Sequence, residues 1–424
     1  MSDRDSSRRR LLSAGTGLAL AAVPAAIAVR PAIAKTPDAA PMLSATSFGT
    51  VGDGKADDTG ALQKALDAAF APGGPGFLLI PPGRYRISRS LRVATLGGPQ
   101  GNIARHSGIM AHGARFISKI TDGGNVFEFV SGSTVRFLII EGLDILGSGH
   151  EGHGVLLECE HKEHYLYNFC LRDVTVQNCG GDGCRMIGNV FEGQVINSYF
   201  RKNGGNGVTF GHGFKAGILS AIHVFGCVFG DNGQHGVAMI NGCYDVGYHG
   251  CYFLLNAKFG LVAENGCTLL SNCGFENNHE AAGHFEKGDA GIALQGFGTL
   301  IGCTAYSIFN QTNLIKAYVV DHLVMIGCTG FGDGRAKGAG LAKISGRKRT
   351  GATFVGSNGT IEYVDGFEGL ELGGPDGGIR LASDWRSPNI ARLGDYRLWV
   401  DKSGSLRMKK GVPSADEDGK VVGR

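Results

Sequence analysis

The sequence predicts an all-β solenoid, a single-stranded parallel β-helix in which each turn of chain stacks on the one before. Three observations carry that expectation. A glycine followed by an apolar residue recurs at Gly154, Gly183, Gly207, Gly236, Gly260 and Gly291, in steps of 29, 24, 29, 24 and 31 residues. A period in the twenties is the length of one solenoid turn. The residues after each glycine alternate as in a strand, so Val208, Phe210, Val237, Met239, Leu261 and Ala263 are expected inside, and Thr209, Ala238, Val262 and Glu264 outside. Two columns of small or polar residues keep step with the glycines. One is Asn178, Asn203, Asn232, Asn256 and Asn278; the other lies five residues earlier, at Asp173, Ser198, Cys227, Cys251 and Cys273, and continues through Cys303, Cys328 and Ser357. Glycine turns a backbone with positive φ, and asparagine tolerates the same region. No leucine-rich, ankyrin or propeller signature fits these repeats.

Taken in order, the chain opens on an export signal at residues 1–34. Ser7-Arg8-Arg9-Arg10-Leu11-Leu12 has a twin-arginine pattern, an apolar run follows from Leu11 to Val29, and Ala32-Ile33-Ala34 offers a cleavage site. A membrane anchor is the competing reading, but the run is only marginally long enough and contains Pro24. The expected destination is the periplasm or the exterior, with no stable membrane insertion once the signal is removed. The signal holds five of the 41 basic and two of the 38 acidic side chains, so the rest of the chain is neutral and nothing favours nucleic acid as a partner.

A linker is expected at 35–46 and the solenoid at 47–360. At its start, Gly60 to Phe70 has a helical pattern that Asp57, Asp58 or Thr59 can cap, with Ala61, Leu62, Ala65, Leu66 and Ala69 as the apolar face. Such a helix closes the open end of a solenoid core. Phe77 to Ile87 reads as strand, turn, strand. Two turns are oversized, His150–Asn168 and His279–Asp289. From 361 to 424 a β-rich cap or tail is expected, with a hairpin across Arg397–Met408. All eleven cysteines fall between Cys159 and Cys328; their odd number and columnar spacing predict buried thiols in preference to disulfides.

Phe48-Gly49 through Asp57-Asp58-Thr59, with Ala61 and Gln63, followed by Leu79-Ile80-Pro81-Pro82-Gly83-Arg84-Tyr85, resembles the entry segment of the pectate-lyase-like right-handed β-helix superfamily. That grouping includes rhamnogalacturonase- and polygalacturonase-related enzymes, epimerase-like proteins and phage tailspikes. The resemblance implies a right-handed coil and a polysaccharide lying along the outer sheet formed by the strands after each glycine. It implies cleavage, by lyase or hydrolase chemistry, or epimerisation of an acidic polymer. The alternative is a non-catalytic glycan-binding or surface-structural protein, monomeric or homotrimeric. The tail is similar to C-terminal segments of phage and surface β-helices.

On that sheet the first outward column is Leu156, Arg185, Thr209, Ala238, Val262 and Ala293, and the next is Glu158, Ile187, Gly211, Ile240, Glu264 and Gln295. Two charged clusters stand out. Glu158, Asp182, Arg185 and His212 form the first, with Thr209 beside them; Glu264 with His284, Glu286, Lys287 and Asp289 forms the second. Glu158 and Glu264 are four turns apart, about 19 Å at a ~4.8 Å strand spacing, too far for a glycosidase carboxylate pair. For lysis or C5 epimerisation, Arg185 with His212, or Lys287 with His284, supplies the cation and the base. For hydrolysis, Glu264 with Glu286 or Asp289 is the acid/base pair. Glu158, Thr209, Lys287 and Asp289 are the expected substrate contacts, each weighed against a plain polar position on a groove wall. Gly211-His212-Gly213 is similar to the Gly-His-Gly of polygalacturonases, without the Asn-Thr-Asp, Asp-Asp and Arg-Ile-Lys motifs that accompany it there. The HxxH pairs His150/His153 and His161/His164 read as a polar loop in preference to a metal site. No metal site is assigned. Calcium is left open by the resemblance, with no calcium-loop pattern visible.

Overall fold

The computed structural model describes residues 42–364 and 390–423 apart from short stretches within them, among them 97–101, 160–162, 212–218, 279–289, 333–339 and 346–350. The predicted signal at 1–34 lies outside the described residues, as do His161, His212, His284, Glu286, Lys287 and Asp289. Among the described residues no helix is long and apolar enough to cross a membrane.

Each turn contributes one strand to each of three parallel faces. The first face runs through Phe127–Ser131, Val155–Cys159, Cys184–Gly188, Val208–Gly211, Val237–Ile240 and the start of Leu261–Ser271. The second runs through Leu138–Glu141, Cys170–Arg172, Gln194–Ile196, Ile222–Phe225 and Val246–His249. The third runs through Asp144–Leu146, Thr175–Gln177, Tyr199–Arg201, Val228–Gly230 and Tyr252–Leu254. A fourth, shorter sheet fills the bend between the first and second faces in the N-terminal half. From Leu261 onward that bend disappears, and single strands such as Ala290–Ile301 pass from the first face to the second. The fold is a right-handed parallel β-helix with one helix at its start.

The predicted register holds residue for residue: Val155, Cys184, Val208, Val237, Leu261 and Ile292 pair in sequence, as do Leu156, Arg185, Thr209, Ala238, Val262 and Ala293. The first set is buried, and Phe200, Phe229, Phe253 and Phe275 of the third face stack beneath it at centroid spacings of 5.8, 5.1 and 4.6 Å. The second set departs from expectation, because Thr209 and Ala238 point outward yet are buried.

Corners explain the polar columns. Between the second and third faces one residue per turn is left-handed: Gly113, Gly142, Asp173, Asn197, Gly226, Gly250 and Asn272, with φ between 46° and 81°. The left-handed residues at that corner are Gly, Asn or Asp, as the steric cost of the region requires. At Gly142 the space is closed as well, since a Cβ would lie 2.6 Å from the His112 nitrogen.

This corrects two expected members of the columns. Asp173 is a corner residue equivalent to Asn197, and Asn178 is a left-handed residue equivalent to Lys202. The buried ladder starts instead at Cys179, whose N–H donates to Asn203 Oδ1. Asn203, Asn232, Asn256 and Asn278 follow, each amide donating to the next at 2.8–3.1 Å. Asn178 stands five residues before Gly183, whereas Asn203, Asn232 and Asn256 stand four before Gly207, Gly236 and Gly260, and that one-residue difference marks the offset.

The cysteine column is continuous from Ser198, whose N–H meets Cys227 Sγ, to Cys328, whose N–H meets Ser357 Oγ. All eleven cysteines are free thiols, nine of them buried. At the entry end, the helix Thr59–Phe70 buries Leu62, Ala65, Leu66, Ala69 and Phe70 in the same core as the coil. Its Asp58 does not cap it; that carboxylate reaches back to the N–H groups of Val51 and Gly52, while Asp57 receives the Thr59 N–H. At the other end the expected hairpin pairs Tyr396–Val400 with Leu406–Lys410 and lies inside a four-stranded antiparallel sheet spanning Ile390–Leu393 to Lys420–Gly423.

Candidate active site

The residue just ahead of each repeat glycine faces a backbone problem. Its N–H points along the coil axis in a tight bend and needs an acceptor. The side chain of the preceding turn supplies it. His153 N–H donates to Asn125 Oδ1 (2.7 Å), Asp182 N–H to His153 Nδ1 (2.9 Å) and Asn206 N–H to Asp182 Oδ1 (2.8 Å). His235 N–H then donates to Asn206 Oδ1 (2.9 Å) and Phe259 N–H to His235 Nδ1 (3.2 Å). Five successive links of this kind, along one edge of the first face, stitch six consecutive turns.

Asp182 is the one carboxylate in this series, and a cluster has formed around it. Its second oxygen, Oδ2, accepts the Thr209 hydroxyl at 2.9 Å and lies 3.5 Å from the Arg185 guanidinium. Asn206 Nδ2 donates to Thr209 Oγ1 at 3.0 Å. The Asp182 side chain is 7% exposed and that of Arg185 34%, so the buried acid holds a cation that still reaches the surface of the sheet.

His153 also approaches Oδ2, at 3.6 Å. Burial holds its proton affinity below the ordinary histidine value; nearby Asp182 opposes this and Arg185 adds to it. With Nδ1 accepting an N–H, the neutral ring carries its proton on Nε2. His153 is therefore a hydrogen-bond donor through Nε2, and its contact with Asp182 is not an ion pair.

Of the sequence-predicted site residues, Asp182, Arg185 and Thr209 come together, with Thr209 buried as a support for Asp182 rather than presented to a substrate. Glu158 sits on the adjacent strand opposite Ile187, two positions beyond the Leu156–Arg185 pair. Glu264 falls where the strand register slips between Ala263 and Gly266, so it leaves the column expected of it. Its expected partners His284, Glu286, Lys287 and Asp289, and His212 of the first cluster, lie outside the described residues. By motif alone His153 belongs to an HxxH pair with His150. The signal that finds it is its place, one residue before Gly154, in a column whose other members are Asn, Asp and His. Among the described residues no group of three or more His, Cys, Asp or Glu is arranged to hold a metal ion.

Comparison with known proteins follows the same division of the chain. Residues 42–114 match the rhamnogalacturonase A/epimerase, pectate lyase-like family, 129–305 the right-handed β-helix region, and 359–424 the capsule depolymerase family. Mannuronan C5-epimerase AlgE5 of Azotobacter vinelandii is 56% identical over 41 residues, 10% of this chain and 4% of that protein. The chain thus matches only a small part of that relative. Among solved structures, the N-terminal fragment of gene product 12 of bacteriophage Phi29 superposes with a TM-score of 0.55 at 12% identity, over 78% of this chain and 65% of that one. ORF18 of Geobacillus virus E2 gives 0.53 at 21% identity, over 71% and 58%. Likeness at that identity speaks for the fold. On the coil, its register and the matched segments, the chain is a right-handed parallel β-helix whose entry segment is similar to the rhamnogalacturonase A/epimerase, pectate lyase-like family.

Proposed function

We propose that this protein is an exported polysaccharide-active enzyme that cleaves or epimerises an acidic polymer held along the first face of the coil. One observation carries the reading: Arg185 is a surface-reaching guanidinium held by the buried Asp182 carboxylate, with the His153 donor beside it. A uronate bound there places its carboxylate on Arg185 in a charge-assisted pair. Neutralising that carboxylate makes the neighbouring C5 proton more acidic, the step that lysis and C5 epimerisation share. His153, donating through Nε2, steadies the developing enolate and does not remove the proton. The base is assigned to His212, which follows directly on the strand Val208–Gly211. The matched epimerase segment and the capsule depolymerase match at 359–424 support a polysaccharide ligand. The twin-arginine pattern at 1–34 supports export.

A second reading, a non-catalytic glycan-binding or tailspike-like structural coil, is favoured by one feature. Both oxygens of Asp182 are already engaged, by Asn206 and Thr209, as a purely structural ladder would have them. The test is a screen of alginate, pectin and bacterial capsule polymers for unsaturated products by ultraviolet absorbance, for reducing ends, and for changed C5 configuration by proton NMR. Turnover on any acidic polymer that is lost in Arg185→Ala supports the enzyme. Binding without turnover across the panel leaves the structural reading.

A further inference from the structure

Opposite the first face, at the corner between the second and third faces, the N-terminal turns form a groove of about 460 Å³. The register Arg84–Arg115–Asp144–Thr175 runs along it, one residue from each of four successive turns, and His112 and Asp173 flank it. At ~4.8 Å per turn those four residues span about 14 Å, roughly three sugar residues at one per turn.

The charges along the groove are unequal in kind. Arg115 is satisfied by Asp144 at 2.6 Å. His112 and Arg172 both lean on the buried Glu141, at 3.6 and 3.0 Å, which fixes the groove's far wall. Asp173 accepts from Asn197 at 2.6 Å. Arg84 stands apart: it is exposed and pairs with no acid among the described residues. An unpaired guanidinium in a concave site offers a planar fork of donors that matches a carboxylate. Asp144 and Asp173 each keep an oxygen beyond those engaged, and Thr175 adds a hydroxyl, so the rest of the groove suits sugar hydroxyls.

We infer that this groove is a second glycan-binding site, specific for a uronate-containing oligosaccharide, with a uronate carboxylate on Arg84 and the hydroxyls of the adjoining sugars on Asp144, Asp173 and Thr175. It rests on the polysaccharide reading for its ligand class but not on catalysis at Arg185. Its role is to hold the polymer on the coil away from the reacting face.

Calorimetric titration of the full chain with tetragalacturonate and tetramannuronate, beside a neutral tetrasaccharide, tests it. In the Arg185→Ala background, where the carboxylate contact on the first face is gone, Arg84→Ala is expected to weaken uronate binding about tenfold, in line with loss of a charged hydrogen bond. The thermal midpoint is expected to stay unchanged, because that side chain supports no partner. Arg185→Ala is expected to leave this affinity alone, and the neutral sugar to bind about tenfold more weakly than either uronate. Uronate binding to the Arg185→Ala chain that survives the added Arg84→Ala change, or uronate binding that Arg185→Ala alone abolishes, overturns the second site while leaving the enzyme reading intact. Absence of uronate binding to the parent chain also overturns it, and the product screen on that same chain decides separately whether the enzyme reading falls too.

Discussion

His153 accepts the backbone N–H of Asp182 through Nδ1 at 2.9 Å, so the side chain beside the candidate site's acid is also a stitch between two turns of the coil. The same position is filled by asparagine one turn earlier, at Asn125, and two turns later, at Asn206. An amide oxygen does the job equally well. His153→Asn is therefore expected to keep the unfolding midpoint of the parent chain, whereas His153→Ala orphans the Asp182 N–H and costs about 1–3 kcal/mol. Denaturant titration of both variants checks it; equal losses in the two mean that the imidazole's packing, not its acceptor, is what matters.

Protonation should break that stitch. Burial lowers the proton affinity of His153, with Asp182 opposing and Arg185 reinforcing the effect. An unfolded chain takes up this proton at about pH 6.5, while the folded chain resists until lower pH. Stability contributed by neutral His153 is thus complete above that pH and is lost as pH falls through the folded value. Urea midpoints measured from about pH 8 down to about pH 5 should fall more steeply for the parent than for His153→Asn. Parallel curves would show that His153 does not titrate in this window.

Arg185 is expected to matter for turnover and little for folding, since its guanidinium is partly in water and its ion pair with Asp182 is long. Arg185→Ala should lower kcat/KM on the active polymer by about 10²–10³, the usual effect of removing a preorganised charge at a developing anion. Arg185→Lys should recover part of that loss. Unchanged kinetics in Arg185→Ala would move the chemistry elsewhere on the coil.

The sequence disclosed most where geometry repeats. Glycines with apolar neighbours at a period in the twenties placed Val155 through Ile292 and Leu156 through Ala293 in the register the coil shows. A strand's alternation, however, tells direction and not depth: Thr209 points outward and is still buried beneath its surroundings. Asn178 and Asp173 misled because asparagine and aspartate suit both the left-handed corner and the internal ladder, and only a one-residue count separates the two uses. His153 is hard to single out in the sequence because its column mixes Asn, Asp and His, residues that share one backbone duty and no common chemistry. The Arg84 groove was not legible at all, being assembled from four turns whose side chains meet only after the coil closes.

Asn232 offers a direct test of the internal ladder. It is fully buried, receives both the N–H and the amide of Asn203, and donates to Phe200 O and Asn256 Oδ1. Asn232→Ala leaves these groups without partners in a dry core and should cost about 2–4 kcal/mol. Asn232→Asp is nearly isosteric but sets an acceptor against two acceptors, and should be at least as damaging. A thermal midpoint close to the parent's in either variant would mean that the ladder is not a source of stability.

The cysteine column makes the last prediction. Cys251 and Cys273 donate to the carbonyls of Val224 and Tyr248 at 3.4 Å, in slots sized for a thiol between stacked turns. Burial pushes the Cys179 thiol up to about 12, and that of Cys184 higher still, so neither is a nucleophile at neutral pH. Cys267 is exposed and Cys170 is half-buried, with burial raising the latter's pKa. A thiol reagent added to the folded chain should therefore modify Cys267 quickly, Cys170 slowly and the nine buried cysteines only on unfolding. Denaturation without reductant should then release the full complement of eleven thiols. A shortfall of two or more would reveal a disulfide between neighbouring turns and overturn the reading of the column as packing, because a bridge there would have to replace the thiol-to-carbonyl bonds that hold each turn to the one before it.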